Sequence, residues 1–429
     1  MSLCFHAAPA PGEWLNDPNG LVRIDDKWVL LAQHRTDAPE FSETNWARWT
    51  SSDLLDWTFN GPVIASTNGR EAFSGSVVLT ASGLEAFHTA HVAGHEHQER
   101  RISTDAGLTW QAMPLEMPDA AQGFNVRDPA VFGNDGDWWM LLAKPCPWAG
   151  WETAPPSKIA ILRSPDRQHW TETGTIGPWD PVGVMWEVPT LIREADADLL
   201  LISSIDRREG GAECTVRAWS GHLNASGFEV AAKWPADGHR VDHGPDFYAA
   251  IPGTGATPQP VVGWLASWAT ARTLAWPGFA GGPITLPRRV SVSDTKLLNE
   301  AWPTLAAAFT EPVTDVPLAG RGTVEIGGAA NFTLTITCDM SEAHVVATAA
   351  NLTVLRTIPA WHCSYPAALT PAPARTLTLF IDGPATELFI DPDGIAISLG
   401  LPGTGPRHIV LSANGAVRTF AWHCRRAAP

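Results

Sequence analysis

One short pattern returns along this chain at a nearly constant interval, and an internal repeat restricts a fold more than any bulk property does. An acid close to a proline opens a run of apolar residues. It reads Asn16-Asp17-Pro18 before Leu21-Val22, Arg127-Asp128-Pro129 before Val131-Phe132, and Glu187-Val188-Pro189 before Leu191-Ile192. Weaker copies open at Phe73-Ser74-Gly75-Ser76 and at Asp246-Phe247-Tyr248. The five starts lie about 57 residues apart, a spacing that marks a propeller or an array. A second signal keeps the same beat: Ser51-Ser52-Asp53 ending on Trp57, Ser103-Thr104-Asp105 on Trp110, and Ser164-Pro165-Asp166 on Trp170. A Ser-x-Asp turn once per unit reads as a repeated turn between outer strands.

Each unit is long enough for four short strands, which is one propeller blade. The expected fold is all-β: a five-bladed β-propeller over residues 1–297, a Pro-marked linker over 298–317 and a β-sandwich over 318–429. In the last region Phe332, Leu334 and Ile336 alternate with Thr333, Thr335 and Thr337. Glu387-Leu388-Phe389-Ile390 runs into the turn Asp391-Pro392-Asp393-Gly394. If the units are equivalent, Asp17, Asp128 and Glu187 take the same place in three blades, at the start of the innermost strand facing the axis. Three converging acids repel one another and serve no purpose in stability. D-P-N-G is also an ordinary turn sequence, so the repetition, and not the turn at residues 17–20, carries the functional reading.

Composition narrows the partners. The net charge is −16, charged residues make up 17% and no basic run occurs, which argues against nucleic acid and anionic membranes. Trp is abundant, 21 against 2 Tyr, and some of it suits the apolar faces of sugar rings. The six Cys show no CxxC spacing and read as mostly buried thiols without a metal role. His88, His91, His95 and His97 lack the helical pairing of catalytic zinc motifs and read as a strand entering a hairpin. The Pro/Trp-rich stretch 144–158 is expected to rim a pocket, and Asp242 and Asp246 to hold substrate hydroxyls. No run approaches 18 apolar residues and the N-terminus lacks a signal-peptide pattern, so the chain as written reads as cytoplasmic, with secretion after removal of a signal as the alternative.

WLNDPNG at 14–20, FSGS at 73–76, RDP at 127–129, WEVP at 186–189, DHGPDFYA at 242–249 and LPRR at 286–289 together resemble glycoside hydrolase family 32, the invertases, inulinases and levanases. The resemblance covers the propeller and, more loosely, residues 375–400. It implies a β-fructofuranosidase acting on small or polymeric fructosides, with no cofactor and no metal. Asp17 would be the nucleophile, Glu187 the general acid and then base, and Asp128 the stabiliser of the transition state. It further implies that Asn16, Gln33, Trp46, Phe73, Ser74, Arg127 and Asp242 line the fructose subsite. Val188 stands where the family usually has Cys. Retaining glycosidases use two carboxyl groups about 5–5.5 Å apart, and the negative charge of Asp17 is expected to help keep Glu187 protonated. A fructosyltransferase on the same site and a non-catalytic sugar-binding propeller are the competing readings. Sequence leaves the preferred linkage and the oligomeric state open.

Overall fold

The computed structural model describes residues 3–425 apart from 135, 147–155, 180–182, 195, 209–210, 328–330, 366–368, 370–371, 404, 416 and 418–419. Strands dominate, as the short apolar runs and the Gly- and Pro-rich turns dictate. Five antiparallel sheets follow one another along residues 14–301. Their first strands are Trp14–Ile24, Arg70–Thr80, Arg127–Asn134, Met185–Arg193 and Tyr248–Pro252. The first four sheets run as meanders, each strand pairing with the next in sequence. First strands pack in cyclic order, each on the next, and Tyr248–Pro252 packs back on Trp14–Ile24. The short strand Ala280–Gly281 also returns to the first sheet, pairing in parallel with Trp14 and Leu15.

The Ser-x-Asp motifs do what their chemistry suggests. Each ends the third strand of its sheet and leads into the fourth. Ser51, Ser103 and Ser164 donate their hydroxyls to Asp53, Asp105 and Asp166 at 3.0, 2.7 and 3.1 Å. Each Asp then accepts from backbone N–H groups further along the turn. The next residue, Leu54, Ala106 or Arg167, is left-handed, with φ of 66°, 58° or 65°. That conformation costs an L-residue of order 1–3 kcal/mol, which the carboxylate's hydrogen bonds to the turn offset.

Two further sheets, of six and five strands, hold residues 309–425. Strand Phe332–Thr337 alternates buried and half-buried, so Phe332, Leu334 and Ile336 enter a shared core with Val345, Val354, Leu379 and Ile397. Fully burying each such side chain contributes about 1.5–3 kcal/mol. Asp391 ends one strand of this region, and Gly394, at φ 66°, turns the chain into the next. Trp361-His362-Cys363 and Trp422-His423-Cys424 both lie on strands here.

Buried charges fasten the two regions together. Arg288 of the fifth sheet reaches Asp242 at 2.5 Å and also Glu387 and Ser398 of the C-terminal region. The N-terminal segment joins the cluster: His6 contacts Asp382 at 2.9 Å and Glu387 at 3.0 Å, and Asp382 accepts from the N–H groups of Cys4, Phe5 and His6. Arg356 meets Asp246 at a second point. Two expectations are altered here, and a third lies mostly outside the described residues. Asp242 and Asp246 are structural anchors of this seam, each with its oxygens already hydrogen-bonded. Cys4 is exposed and Cys363 and Cys424 half-buried, so only Cys146, Cys214 and Cys338 are buried thiols. Most of the 144–158 stretch lies outside the described residues. Among the described residues no helix is long and apolar enough to cross a membrane.

Candidate active site

Each first strand carries a register shift near its start. It falls between Leu15 and Gly20, Ala72 and Gly75, Glu187 and Thr190, Tyr248 and Ile251, and opposite Leu141–Ala143, next to Arg127 and Asp128. A bulge re-aims side chains and leaves backbone N–H groups out of the ladder. Proline has no N–H to give, so Pro18, Pro129 and Pro189 fit these places. Asp128, Val188 and Ala249 are left-handed there, with φ of 61°, 46° and 51°. The repeated acid-Pro pattern is therefore the sequence trace of a repeated bulge.

The bulges bring Asp17, Asp128 and Glu187 to one cavity of about 390 Å³. Gln33, Phe73, Ser74 and Arg127 line it too, together with Phe41, Met185, Ile205, Trp268 and Arg272. Asp17 is 6% exposed. Its Oδ2 accepts from Ser74 Oγ at 2.8 Å, while its Oδ1 has no hydrogen-bond partner among the described residues. Burial, and then the negative charge of Glu187, push the Asp17 carboxyl up to about 7. Asp128 is raised well above the ordinary carboxylate range by the same two causes. Its Oδ2 accepts from Val188 N–H at 3.0 Å, and its own N–H donates to Thr89. Glu187 is held from both sides: Arg127 Nη1 donates to Oε1 at 3.1 Å and Tyr248 Oη to Oε2 at 3.0 Å. Arg127 is fixed in turn by Glu96 and Asn125. Glu96, Glu187 and Asp128 thus act together on one arginine, Arg127.

Three expected lining residues stand elsewhere. Asn16 is fully buried behind the cavity, bridging Trp14 and the Gln33 side chain. Trp46 is fully buried too and donates its indole N–H to Phe73 O at 3.0 Å, so it braces the wall without forming it. Asp242 is at the seam, drawn away by Arg288 and by the N–H groups of Gly244 and Ser398. Sequence reading missed Phe41, Met185, Ile205, Trp268, Arg272 and the Tyr248–Glu187 contact. Tyr248 carried one signal, as one of only two tyrosines. Phe41 carried another, a lone aromatic in a polar loop. It packs on Trp268 at 5.0 Å and Phe73 at 5.8 Å, while Phe73 stacks on His91 at 4.6 Å.

The family model described as the glycosyl hydrolases family 32 N-terminal domain matches residues 6–301. Among curated proteins, a sucrose-6-phosphate hydrolase of Escherichia coli is 28% identical over 312 residues, 69% of this chain and 63% of that protein. An extracellular exo-inulinase of Aspergillus niger is 26% identical over 360 residues, 71% of this chain and 65% of that protein. The chain thus spans less than two thirds of the length of these relatives. Among solved structures, a Bombyx mori GH32 β-fructofuranosidase superposes with a TM-score of 0.81 at 20% identity, covering 100% of this chain and 95% of that one. A sucrose-6-phosphate hydrolase from Lactobacillus gasseri gives 0.81 at 17% identity, covering 99% and 93%.

Proposed function

The chain belongs to glycosyl hydrolase family 32, and on that premise we propose that it is a retaining β-fructofuranosidase releasing terminal fructosyl units from sucrose or fructans. The observation that carries this reading is the convergence in one cavity of Asp17, held by Ser74, and a Glu187 carboxyl held by Arg127 and Tyr248. The Asp17 carboxylate attacks the anomeric carbon while Glu187 gives its proton to the departing oxygen. The product is a fructosyl ester on Asp17. Esterification removes one negative charge from the cavity. Glu187 then takes a proton from water, whose oxygen attacks the same carbon and frees Asp17. Asp128 accepts sugar hydroxyls and stabilises the positive charge that develops on the ring. Gln33, Ser74, Arg127 and the Phe73 face complete the fructose subsite.

The same reading takes the five sheets as blades of one closed propeller, with the C-terminal pair of sheets as a separate sandwich beyond a linker at 298–317. The cyclic packing of first strands and the return of Ala280–Gly281 to the first sheet support it. The test is fructose and glucose release from sucrose, 1-kestose, inulin and levan, side by side, with Glu187→Gln as control. Release that disappears in the variant supports the assignment and ranks the substrates. No release from any of the four, by folded protein, overturns it.

A further inference from the structure

Three aromatic rings line the cavity, Phe41, Phe73 and Trp268, and they are supported in different ways. Trp268 packs on Trp14 and Trp264, both fully buried. Phe73 is backed by a polar ring. Its plane lies parallel to the His91 imidazole, with centroids 4.6 Å apart and an interplanar angle of 5°.

His91 is fixed in turn. It stands directly opposite Glu71 on one neighbouring strand and Glu96 on the other. Glu96 is turned to Arg127 and the Val126 N–H. Glu71 takes the histidine, with His91 Nδ1 at 2.9 Å from its Oε2, and this contact is the first cause holding the Glu71 carboxyl below its ordinary value. Glu71 also accepts from the backbone N–H groups of Glu43 and Thr44. Those two residues end the loop 36–44, which carries Phe41. The start of the loop is gripped by Arg35, which donates to Asp37 at 2.7 Å and to Ser42. Phe41 then returns to Phe73 at 5.8 Å. The contacts form a closed circuit: Phe73, His91, Glu71, the loop, Phe41 and Phe73 again. Histidine suits its place because the face of an imidazole stacks while a ring nitrogen meets a carboxylate.

Resting on the proposed function above, we propose that His91 is a positioning residue for fructoside binding: with Glu71 it sets the tilt of the Phe73 ring and ties to it the loop that brings Phe41 to the cavity. Phe73 and Ser74 sit together in the bulge of their strand. The Phe73 carbonyl is held by the Trp46 indole at 3.0 Å, so losing His91 frees the ring while the backbone stays. Ser74 therefore keeps its hydrogen bond to Asp17. The effect falls on binding and spares the chemical step.

The experiment measures KM and kcat for sucrose. His91→Ala should raise KM about tenfold and leave kcat within about twofold. His91→Phe keeps the stack and His91→Gln keeps a hydrogen-bonding group for Glu71, so each should restore part of the loss. Adding Glu71→Gln to His91→Ala should cost little more than His91→Ala alone, because the two act as one unit. Sucrose affinity of Asp17→Asn, with and without His91→Ala, separates this proposal from the catalytic one: a tenfold loss upholds it even if turnover is absent. A fall in kcat at unchanged KM, or equal affinities, overturns it. A crystal structure of His91→Ala should show the Phe73 ring turned and the loop 36–44 displaced. Both in their original positions would overturn the proposal whatever the turnover.

Discussion

Two clusters of buried carboxylates sit in this chain, one in the cavity and one at the seam, and they are compensated to different degrees. At the seam, Arg288 and His6 face Asp242, Glu387 and Asp382. The backbone N–H groups of residues 4–6, Gly244, Leu286 and Ser398 donate to the remaining oxygens. Burial works against the charges there, but Arg288 and His6 outweigh it and hold Glu387 below its ordinary value. Burial likewise opposes a charge on His6, yet Asp382 and Glu387 lift it to about 9. In the cavity the same groups are equally deep, yet Asp17 and Asp128 are pushed up. Asp246 shows the intermediate case: burial still holds it above its ordinary value although Arg356 is in contact. Burial alone therefore does not set the direction: a carboxylate is held low where neighbouring cations outweigh its burial, as at Glu387, and is raised where they do not, as at Asp246 and Asp17.

The contrast can be broken from either side. The largest effect is expected from Asp17→Asn and Glu187→Gln, each lowering kcat by several orders of magnitude on fructoside hydrolysis. Next comes Arg288→Met, which strands Asp242 and Glu387 in the interior. Denaturant melts should show a loss of about 3–5 kcal/mol, and a loss under 1 kcal/mol would show that the seam does not need its cation.

Asp17 gives a third and opposite effect. Its folded value of about 7 exceeds the ordinary 3.8, so the folded state binds that proton more tightly than the unfolded chain. The resulting penalty is absent below about pH 4, grows as pH rises, and is complete above about pH 7. Asp17→Asn removes it. The inactive variant should be the more stable one at pH 8, by up to about 4 kcal/mol, with the difference fading toward pH 4. Equal melting curves at both pH values would mean that Asp17 is not strained by its site. The smallest effect is expected from Tyr248→Phe, which removes one donor from Glu187 and should lower kcat about tenfold with little change in melting.

Much of this was legible before any coordinates. The acid-Pro repeat put Asp17, Asp128 and Glu187 at the same place in equivalent units, and so together; that this place is a bulge, where the N–H that proline lacks is not needed, is visible only in the strand register. The Ser-x-Asp-to-Trp turns were legible because their hydrogen bonds are local. Phe41 and Trp268 were not legible as cavity walls, since their contact joins residues far apart in sequence. Asp242 was misread for a related reason. Its motif follows the cavity's rhythm, but Arg288 and the Ser398 N–H, supplied from 46 and 156 residues away, capture it. Burial of Asn16 and Trp46 behind the wall depends on side-chain direction, which a residue's neighbours in sequence do not fix.

The most direct measurement is the mass of the Glu187→Gln variant after reaction with an activated β-fructosyl donor, followed by peptide mapping. A protein heavier by one fructosyl group, with the label on the peptide bearing Asp17, is the expected result. A label on another residue, or release of the inverted anomer with no covalent adduct, would contradict the assignment of Asp17 as the nucleophile.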